Sequence, residues 1–196
     1  MTAASRRAVF LDRDGTLLDN DGYLGDPAGV RLYPGVSAAL REIGLRGWER
    51  IVVTNQSGVA RGLFTEQDYR TVEAAFLEAL EWEGGGAEAV YVCHHLPGAS
   101  VAKWSVHCEC RKPAPGLFLR AAKARGLDLA GSVSVGDMGR DIEAGRAAGV
   151  GKNLLVRTGK GRAEEPGLVG PAAPDAVLES IADLPAWLEE QFRGEE

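Results

Sequence analysis

Residues 8–16 read Ala-Val-Phe-Leu-Asp-Arg-Asp-Gly-Thr, a short apolar run that ends in two carboxylates. Such a run predicts a buried strand that brings Asp12 and Asp14 to the edge of a sheet. Because side chains alternate along a strand, the two carboxylates face the same side, and Gly15 lets the chain turn away. Two negative charges held this close favour a cation between them. The segment therefore predicts a divalent-metal site in which one carboxylate attacks a substrate and the other transfers protons.

The composition is that of an ordinary globular protein. The 196 residues are 45% hydrophobic and 26% charged, so we expect one domain over residues 1–196. The net charge of −6 argues against nucleic acid or an anionic membrane as a partner. Only four apolar residues separate Arg6-Arg7 from Asp12, too few for the core of a signal peptide, and no segment is long enough to cross a bilayer. We therefore expect a cytoplasmic monomer.

Apolar runs alternate with amphipathic stretches along the chain. Strands are predicted at residues 8–11, 51–54, 89–92, 133–136 and 153–156, and helical spacing starts at Val36, Tyr69 and Leu117, with a short helix from Ile142 and a last helical pair around Val177 and Trp187. This order predicts an α/β fold, a Rossmann-like and mostly parallel sheet with helices on both faces. In such folds ligands bind beyond the carboxyl ends of the strands. Polar residues that follow different strands should therefore meet at one edge.

Four short motifs stand at these predicted strand ends. They are Asp12-x-Asp14-Gly15-Thr16, Thr54, Lys112 before Pro113, and Gly136-Asp137 followed by Asp141. Together, and in this order over residues 8–150, they resemble the haloacid dehalogenase superfamily. Four ordered motifs are far more specific than one, since a single short match often occurs by chance. Taken alone, Asp137 and Asp141 would be read as acids favoured by the dipole at a helix start.

The resemblance implies a phosphatase and assigns a role to each motif. Asp12 would be the nucleophile that forms an aspartyl-phosphate, and Asp14 the general acid and base. Mg²⁺ would be bound by the carboxylates of Asp12 and Asp137 and by the backbone carbonyl of Asp14. Asp141 would act as a further carboxylate near the metal. The remaining residues implied to hold the phosphorylated substrate or neutralise charge around the nucleophile are Thr54, Asn55, Gln56, Ser57 and Lys112.

All three cysteines and all three histidines fall between Cys93 and Cys110. Cys93-x-His95 is followed after twelve residues by Cys108-x-Cys110. Three thiols and an imidazole match a closed, structural zinc site, so residues 93–110 are predicted to form a zinc loop. His94 and His107 compete with His95 as the fourth ligand, and buried thiols beside exposed histidines are the alternative. Because Arg111-Lys112 follows directly, we hypothesise that zinc orders the loop carrying the catalytic lysine.

The zinc pattern before Arg-Lys-Pro, with Thr-Asn-Gln-Ser-Gly-Val-Ala-Arg-Gly at residues 54–62, narrows the resemblance. The pattern closely resembles that of the heptose-1,7-bisphosphate phosphatases, which remove the C7 phosphate, and the histidinol-phosphate phosphatases, with the same zinc pattern, are the alternative. Met138 departs from the pattern, since a lysine is common at that position. Arg111 is the candidate for binding a second phosphate, because a guanidinium suits bidentate phosphate contact. Further candidates are Arg61 and Lys160-Gly161-Arg162, with solvated surface cations as the alternative.

Spacing and composition bear on access and on other functions. Forty positions separate Asp14 from Thr54 and fifty-eight separate Thr54 from Lys112, which leaves no room for a cap domain. The site should therefore be open. A nucleic-acid 3′-phosphatase would need a basic stripe and stacking aromatics, against which the charge of −6 and the 7% aromatic content argue. A non-catalytic, zinc-organised scaffold is the other alternative, and the complete catalytic set argues against it.

Overall fold

A parallel sheet of six strands forms the centre of the molecule, and the computed structural model describes residues 6–20, 22–82 and 84–193. The strands are β1 (Ala8–Leu11), β2 (Glu49–Asn55), β3 (Ala89–Cys93), β4 (Val133–Gly136), β5 (Lys152–Val156) and β6 (Ala176–Leu178). Their order across the sheet is β3-β2-β1-β4-β5-β6, with every pairing parallel. The chain runs outward from β1 to one edge and then from β4 to the other. The crevice between β1 and β4 is therefore the switch point where such sheets bind ligands.

Helices cover both faces of the sheet, as predicted. They are α1 (Val36–Leu45), α2 (Glu66–Trp82), α3 (Gly116–Arg125), α4 (Gly139–Ala148), α5 (Gly161–Glu164) and α6 (Leu184–Gln191). Residues of α1, α2 and α6 share one apolar core, and residues of α3 and α4 share the other. Along β1, Val9 and Leu11 enter the first core while Ala8 and Phe10 enter the second. The unbroken apolar run is thus explained, because both faces of this strand are buried.

One predicted helix is a strand. Val177 was expected in a helical pair with Trp187, but it lies in β6 and pairs with Leu155 of β5. A strand of three residues shows no usable period in the sequence. The position of β6 depends on its pairing with β5. Just before β6, the Asp175 carboxylate accepts a hydrogen bond from the backbone amide of Asn153 in β5 at 2.7 Å. The helix around Trp187 is confirmed as α6.

Two long connections at the carboxyl edge shape the surroundings of the site. In the described part of residues 12–35 and in residues 94–115, the helical structure is limited to single 3₁₀ turns, Pro27–Gly29 and Ala102–Trp104. The described residues of these connections form no cap domain over the edge beyond β1 and β4. The longest described helix, α2, and all the others are too short or too polar to span a bilayer.

Candidate active site

The predicted catalytic residues converge on one cavity at the carboxyl edge of the sheet. Asp12 follows β1, Thr54 lies near the end of β2, and Asp137 follows β4. All three line a cavity of about 240 Å³, together with Asp14. Parallel strands bring their carboxyl ends to the same edge, so residues more than 120 positions apart in the chain become neighbours.

Lys112 is buried and contacts two carboxylates, one of which belongs to the cavity residue Asp12. Its Nζ lies 2.7 Å from an oxygen of Asp12 and 2.7 Å from an oxygen of Asp141, and it donates to the Val53 carbonyl at 2.8 Å. Burial by itself would lower the pKa of Lys112, but the charges of the two carboxylates outweigh it and raise that pKa. The lysine is therefore a fixed positive charge beside the predicted nucleophile.

Asn55 fixes the backbone of that lysine. Its Oδ1 accepts from the Lys112 amide at 3.1 Å, and its Nδ2 donates to the Lys112 carbonyl at 3.1 Å. The side chain of Asn55 thus joins the end of β2 to the segment after the zinc loop. Only its backbone amide remains for the predicted contact with a phosphoryl group.

Three buried carboxylates meet around this lysine with too little positive charge to balance them. Oxygen atoms of Asp12, Asp137 and Asp141 all lie within 4.8 Å of one another. Burial, together with the charges of Asp12 and Asp141, raises the pKa of Asp137 to about 7. Its Oδ2 accepts from the Lys160 amide at 2.9 Å, while its buried Oδ1 has no partner among the described residues. An unpartnered anionic oxygen in a cluster of acids fits a hard cation such as Mg²⁺.

The carboxylate of Asp14 lies apart from this cluster and is held by hydrogen bonds. Arg13 approaches both of its oxygens, each at 3.1 Å, Asn20 donates at 2.7 Å, and Gln56 donates at 2.6 Å. Gln56 also donates to the Thr54 hydroxyl at 2.8 Å, so the amide predicted to bind substrate is engaged with two catalytic candidates.

The roles of Arg13 and Asn20 were missed from the sequence. Arg13 is 1% exposed, and its guanidinium lies 5.6 Å from the centre of the Tyr69 ring. The one signal available was its place inside the Asp-Arg-Asp motif, which does not distinguish a buried arginine from an exposed one.

Four cationic residues also line the cavity, namely Arg61, Arg111, Arg140 and Lys160. Ser57 lines it as well. Arg111 donates to the His95 carbonyl at 3.3 Å, and burial followed by the charge of Arg140 lowers the pKa of Arg111. Arg61 lies over the Tyr23 ring at 5.6 Å. Of the predicted Lys160-Gly161-Arg162 segment, Arg162 instead pairs with Glu179 at 2.8 Å.

The predicted zinc ligands form a second, compact cluster. The Sγ atoms of Cys93, Cys108 and Cys110 are 3.1–3.7 Å apart, and His95 Nδ1 lies 3.3 Å from Cys110 and 3.7 Å from Cys93. A tetrahedral site with Zn–S bonds of about 2.3 Å places its sulfurs about 3.8 Å apart. The four residues therefore fit a structural zinc ion with only a small expansion.

The structure distinguishes among the three histidines. His95 joins the thiol cluster, whereas His107 is exposed. His94 is buried between the rings of Tyr69 and Trp104 and donates from Nδ1 to the Gln56 carbonyl at 3.1 Å. The zinc loop is thereby connected to the glutamine that contacts Asp14.

Comparisons with known proteins agree with this geometry. The profile of the family described as HAD-hydrolase-like matches residues 109–184. The D-glycero-beta-D-manno-heptose-1,7-bisphosphate 7-phosphatase of Yersinia pestis is 41% identical over 95% of this chain and 97% of its own length. The enzyme of the same name from Escherichia coli K12 is 41% identical over 96% of this chain and 97% of its own.

A solved structure shows the same architecture. The D,D-heptose 1,7-bisphosphate phosphatase of B. bronchiseptica, complexed with magnesium and phosphate, superimposes with a TM-score of 0.82 at 32% identity. The match covers 94% of this chain and 99% of that one. The chain therefore belongs to the haloacid dehalogenase-like hydrolases, in the family of phosphoric monoester hydrolases that contains these heptose-bisphosphate phosphatases.

Proposed function

We propose that this protein removes the C7 phosphate of D-glycero-β-D-manno-heptose 1,7-bisphosphate, with Asp12 as the nucleophile. The observation that carries the proposal is the buried Lys112–Asp12 pair, at 2.7 Å, whose Asp12 lines a cavity that is also lined by cationic side chains. The identity of the substrate and of its anomer is taken from the names of the relatives, which are 41% identical to this chain over 95–96% of its length.

The chain's own residues divide the chemistry between them. Lys112 holds one oxygen of Asp12, which leaves the other to attack phosphorus as the bond to the C7 oxygen breaks. Asp14 gives its proton to that departing oxygen, and then takes a proton from the water that attacks the aspartyl-phosphate and releases phosphate. Arg13, Asn20 and Gln56 hold the Asp14 carboxyl in position throughout. We assign contacts with the phosphoryl oxygens to Thr54, Ser57 and the Asn55 amide.

Two metal ions complete the proposal. Asp12, Asp137 and the backbone carbonyl of Asp14 would hold Mg²⁺, with Asp141 nearby. Mg²⁺ would supply positive charge to the phosphoryl oxygens. Zinc, held by Cys93, His95, Cys108 and Cys110, would be structural, because the four ligands leave no open position.

The charge of the cavity favours a bisphosphate over histidinol phosphate. Arg111 and Lys160 line the cavity, where they would repel the cationic amine of histidinol phosphate and attract a second phosphate. We assign Arg111 to that second phosphate, with Arg61 as a further contact. The proposed setting is a cytoplasmic monomer of one domain that acts on a small phosphorylated sugar.

The test is phosphate release with Mg²⁺ from the α and β anomers of heptose 1,7-bisphosphate and from L-histidinol phosphate. We expect kcat/KM to favour the β anomer about a hundredfold, which corresponds to about 3 kcal/mol in transition-state binding. Asp12→Asn is the matched control and should abolish turnover. A preference for histidinol phosphate would keep the mechanism and refute the substrate. Lack of turnover of all three by the zinc- and magnesium-loaded protein would favour the scaffold alternative.

A further inference from the structure

His94 is a buried histidine to which neither the metal sites nor the proposed chemistry assigns a role. It stands between Cys93 and His95 in the zinc loop, yet it is not part of the thiol cluster, and it is 8% exposed. The centres of the Tyr69 and Trp104 rings lie 4.8 Å and 5.1 Å from the centre of its imidazole. Both contacts are edge-to-face, an arrangement that aromatic rings favour. The orientation of the imidazole is therefore fixed by packing.

This orientation directs Nδ1 of His94 at the backbone of Gln56. Nδ1 lies 3.1 Å from the Gln56 carbonyl, and because a carbonyl only accepts, Nδ1 is the donor. The Gln56 amide in turn donates to the Cys93 carbonyl at 2.7 Å. Two consecutive residues of the zinc loop thus hold both polar groups of the Gln56 backbone. Gln56 is 5% exposed, so the loss of the His94 donor would leave its carbonyl in surroundings with little water to replace that donor.

The side chain of Gln56 connects this backbone contact to the proposed general acid. Its Nε2 donates to the Asp14 carboxylate at 2.6 Å and to the Thr54 hydroxyl at 2.8 Å. A short hydrogen bond tolerates little displacement, because its strength falls as the donor and acceptor move apart or out of line. A shift of the Gln56 backbone would therefore move or break the bond that holds Asp14. The imidazole of His94 opposes such a shift.

We propose that His94 is a positioning residue, which holds Gln56 so that the Gln56 amide keeps the Asp14 carboxyl beside the departing oxygen. The inference rests on the proposed function in taking Asp14 as the general acid, but it requires no particular sugar. A sugar hydroxyl is a poor leaving group and needs a proton as its bond to phosphorus breaks, whereas p-nitrophenolate leaves without one. Misplacing Asp14 should therefore slow the cleavage of a sugar phosphate more than that of p-nitrophenyl phosphate.

The experiment compares kcat/KM for heptose 1,7-bisphosphate with kcat/KM for p-nitrophenyl phosphate, in the metal-loaded protein and its variants. In His94→Phe, which keeps a ring but has no donor, the ratio of the two should fall at least tenfold, or about 1.4 kcal/mol. His94→Asn offers an N–H in place of Nδ1, so it should keep the ratio within about threefold of the wild type, even though the lost ring lowers Tm. His107→Phe, at an exposed histidine of the same loop, is the matched control.

The ratio distinguishes positioning of the general acid from a merely structural role. A structural role for His94 would lower Tm and both kcat/KM values together, and that result overturns the inference, as does a ratio that falls equally in His94→Asn and His94→Phe. Should His94→Phe fail to fold, His94→Leu removes the same donor with a smaller side chain, and an unchanged ratio there refutes the proposal.

A double variant tests whether His94 acts through Gln56. Adding His94→Phe to Gln56→Leu should leave the ratio within about twofold of that in Gln56→Leu alone, because the bond to Asp14 is already missing. Effects that multiply in the double variant would show that His94 acts by another route and would overturn the assignment.

Failure of the proposed function is read from the wild type. If the wild type does not favour the heptose bisphosphates, the ratio is measured with a sugar phosphate that it does hydrolyse, with fructose 1,6-bisphosphate tried first. A fall in that ratio in His94→Phe supports the positioning role although the heptose assignment fails. A ratio insensitive to His94 in a confirmed heptose bisphosphatase refutes the positioning role alone.

Discussion

Replacing Lys112 with methionine should destabilise the protein and nearly abolish its activity. The lysine side chain is 1% exposed and contacts Asp12 and Asp141, each at 2.7 Å. Methionine fills similar space but leaves these carboxylates and Asp137 buried together without a compensating charge. Removing one partner of a buried ion pair costs about 3–5 kcal/mol. For a chain of this size, that cost lowers Tm by about 6–20 °C.

The assay is thermal unfolding without and with Mg²⁺, beside Lys123→Met as the control. Lys123 is exposed on α3, so its replacement should change stability by less than about 0.5 kcal/mol. Mg²⁺ should recover part of the lost stability in Lys112→Met, because a cation bound by Asp12 and Asp137 replaces some of the missing charge. Turnover should stay about 10²–10³-fold below wild type, since the charge beside the nucleophile is gone. A Lys112→Met protein within 1 kcal/mol of wild type without Mg²⁺ would refute the argument.

Three further predictions address the metals and the residues around Asp14. Burial raises the pKa of Asp137 in the folded protein to about 7, whereas an unfolded aspartate titrates near 4. Between these two pH values the folded state of the magnesium-free protein holds a proton that the unfolded state has lost. Its free energy of unfolding should therefore fall as the pH rises from about 4 to 7. Urea unfolding across that range should show this slope, and saturating Mg²⁺ should flatten it; a flat profile without Mg²⁺ would contradict the prediction. Stripping zinc with a chelator while Mg²⁺ stays in excess should lower Tm and turnover together, because the zinc loop precedes Lys112, and unchanged turnover in the zinc-free protein would contradict this link. Gln56→Leu should lower kcat about 10- to 100-fold by removing the 2.6 Å bond to Asp14, whereas Gln67→Leu, on the exposed surface of α2, should leave it unchanged.

Local patterns in the sequence were sufficient for the fold class and for the strand ends at which the candidate catalytic groups stand. The apolar run before Asp12 predicts a strand, because a strand buried on both faces needs apolar residues at every position. In a parallel sheet, polar residues that follow different strands lie at the same edge, so their convergence could be predicted. The predictions of an α/β fold and of the family are both confirmed. The clustering of every cysteine within residues 93–110 predicted the zinc loop, because a tetrahedral site needs its ligands close together.

The sequence could not select partners among residues of the same type. Three histidines stand within one loop, and only the packing of His94 between Tyr69 and Trp104 leaves His95 beside the thiols. Likewise, the pairing of Val177 with Leu155 depends on the backbone hydrogen-bonding groups of β5, which leave no periodic pattern in the sequence around Val177.

The charge balance of the site was decided by tertiary structure alone. Lys112 meets Asp12 across 100 positions of sequence, and Arg111 and Arg140 line one cavity only because the chain brings their two segments together. Residue types and spacing determined which chemical groups were present and at which strand ends they stood. Whether a given arginine lay buried against Asp14, in the cavity or in solvent depended on contacts between distant segments, because burial and the strength of an electrostatic interaction are properties of the folded surroundings and not of the residue.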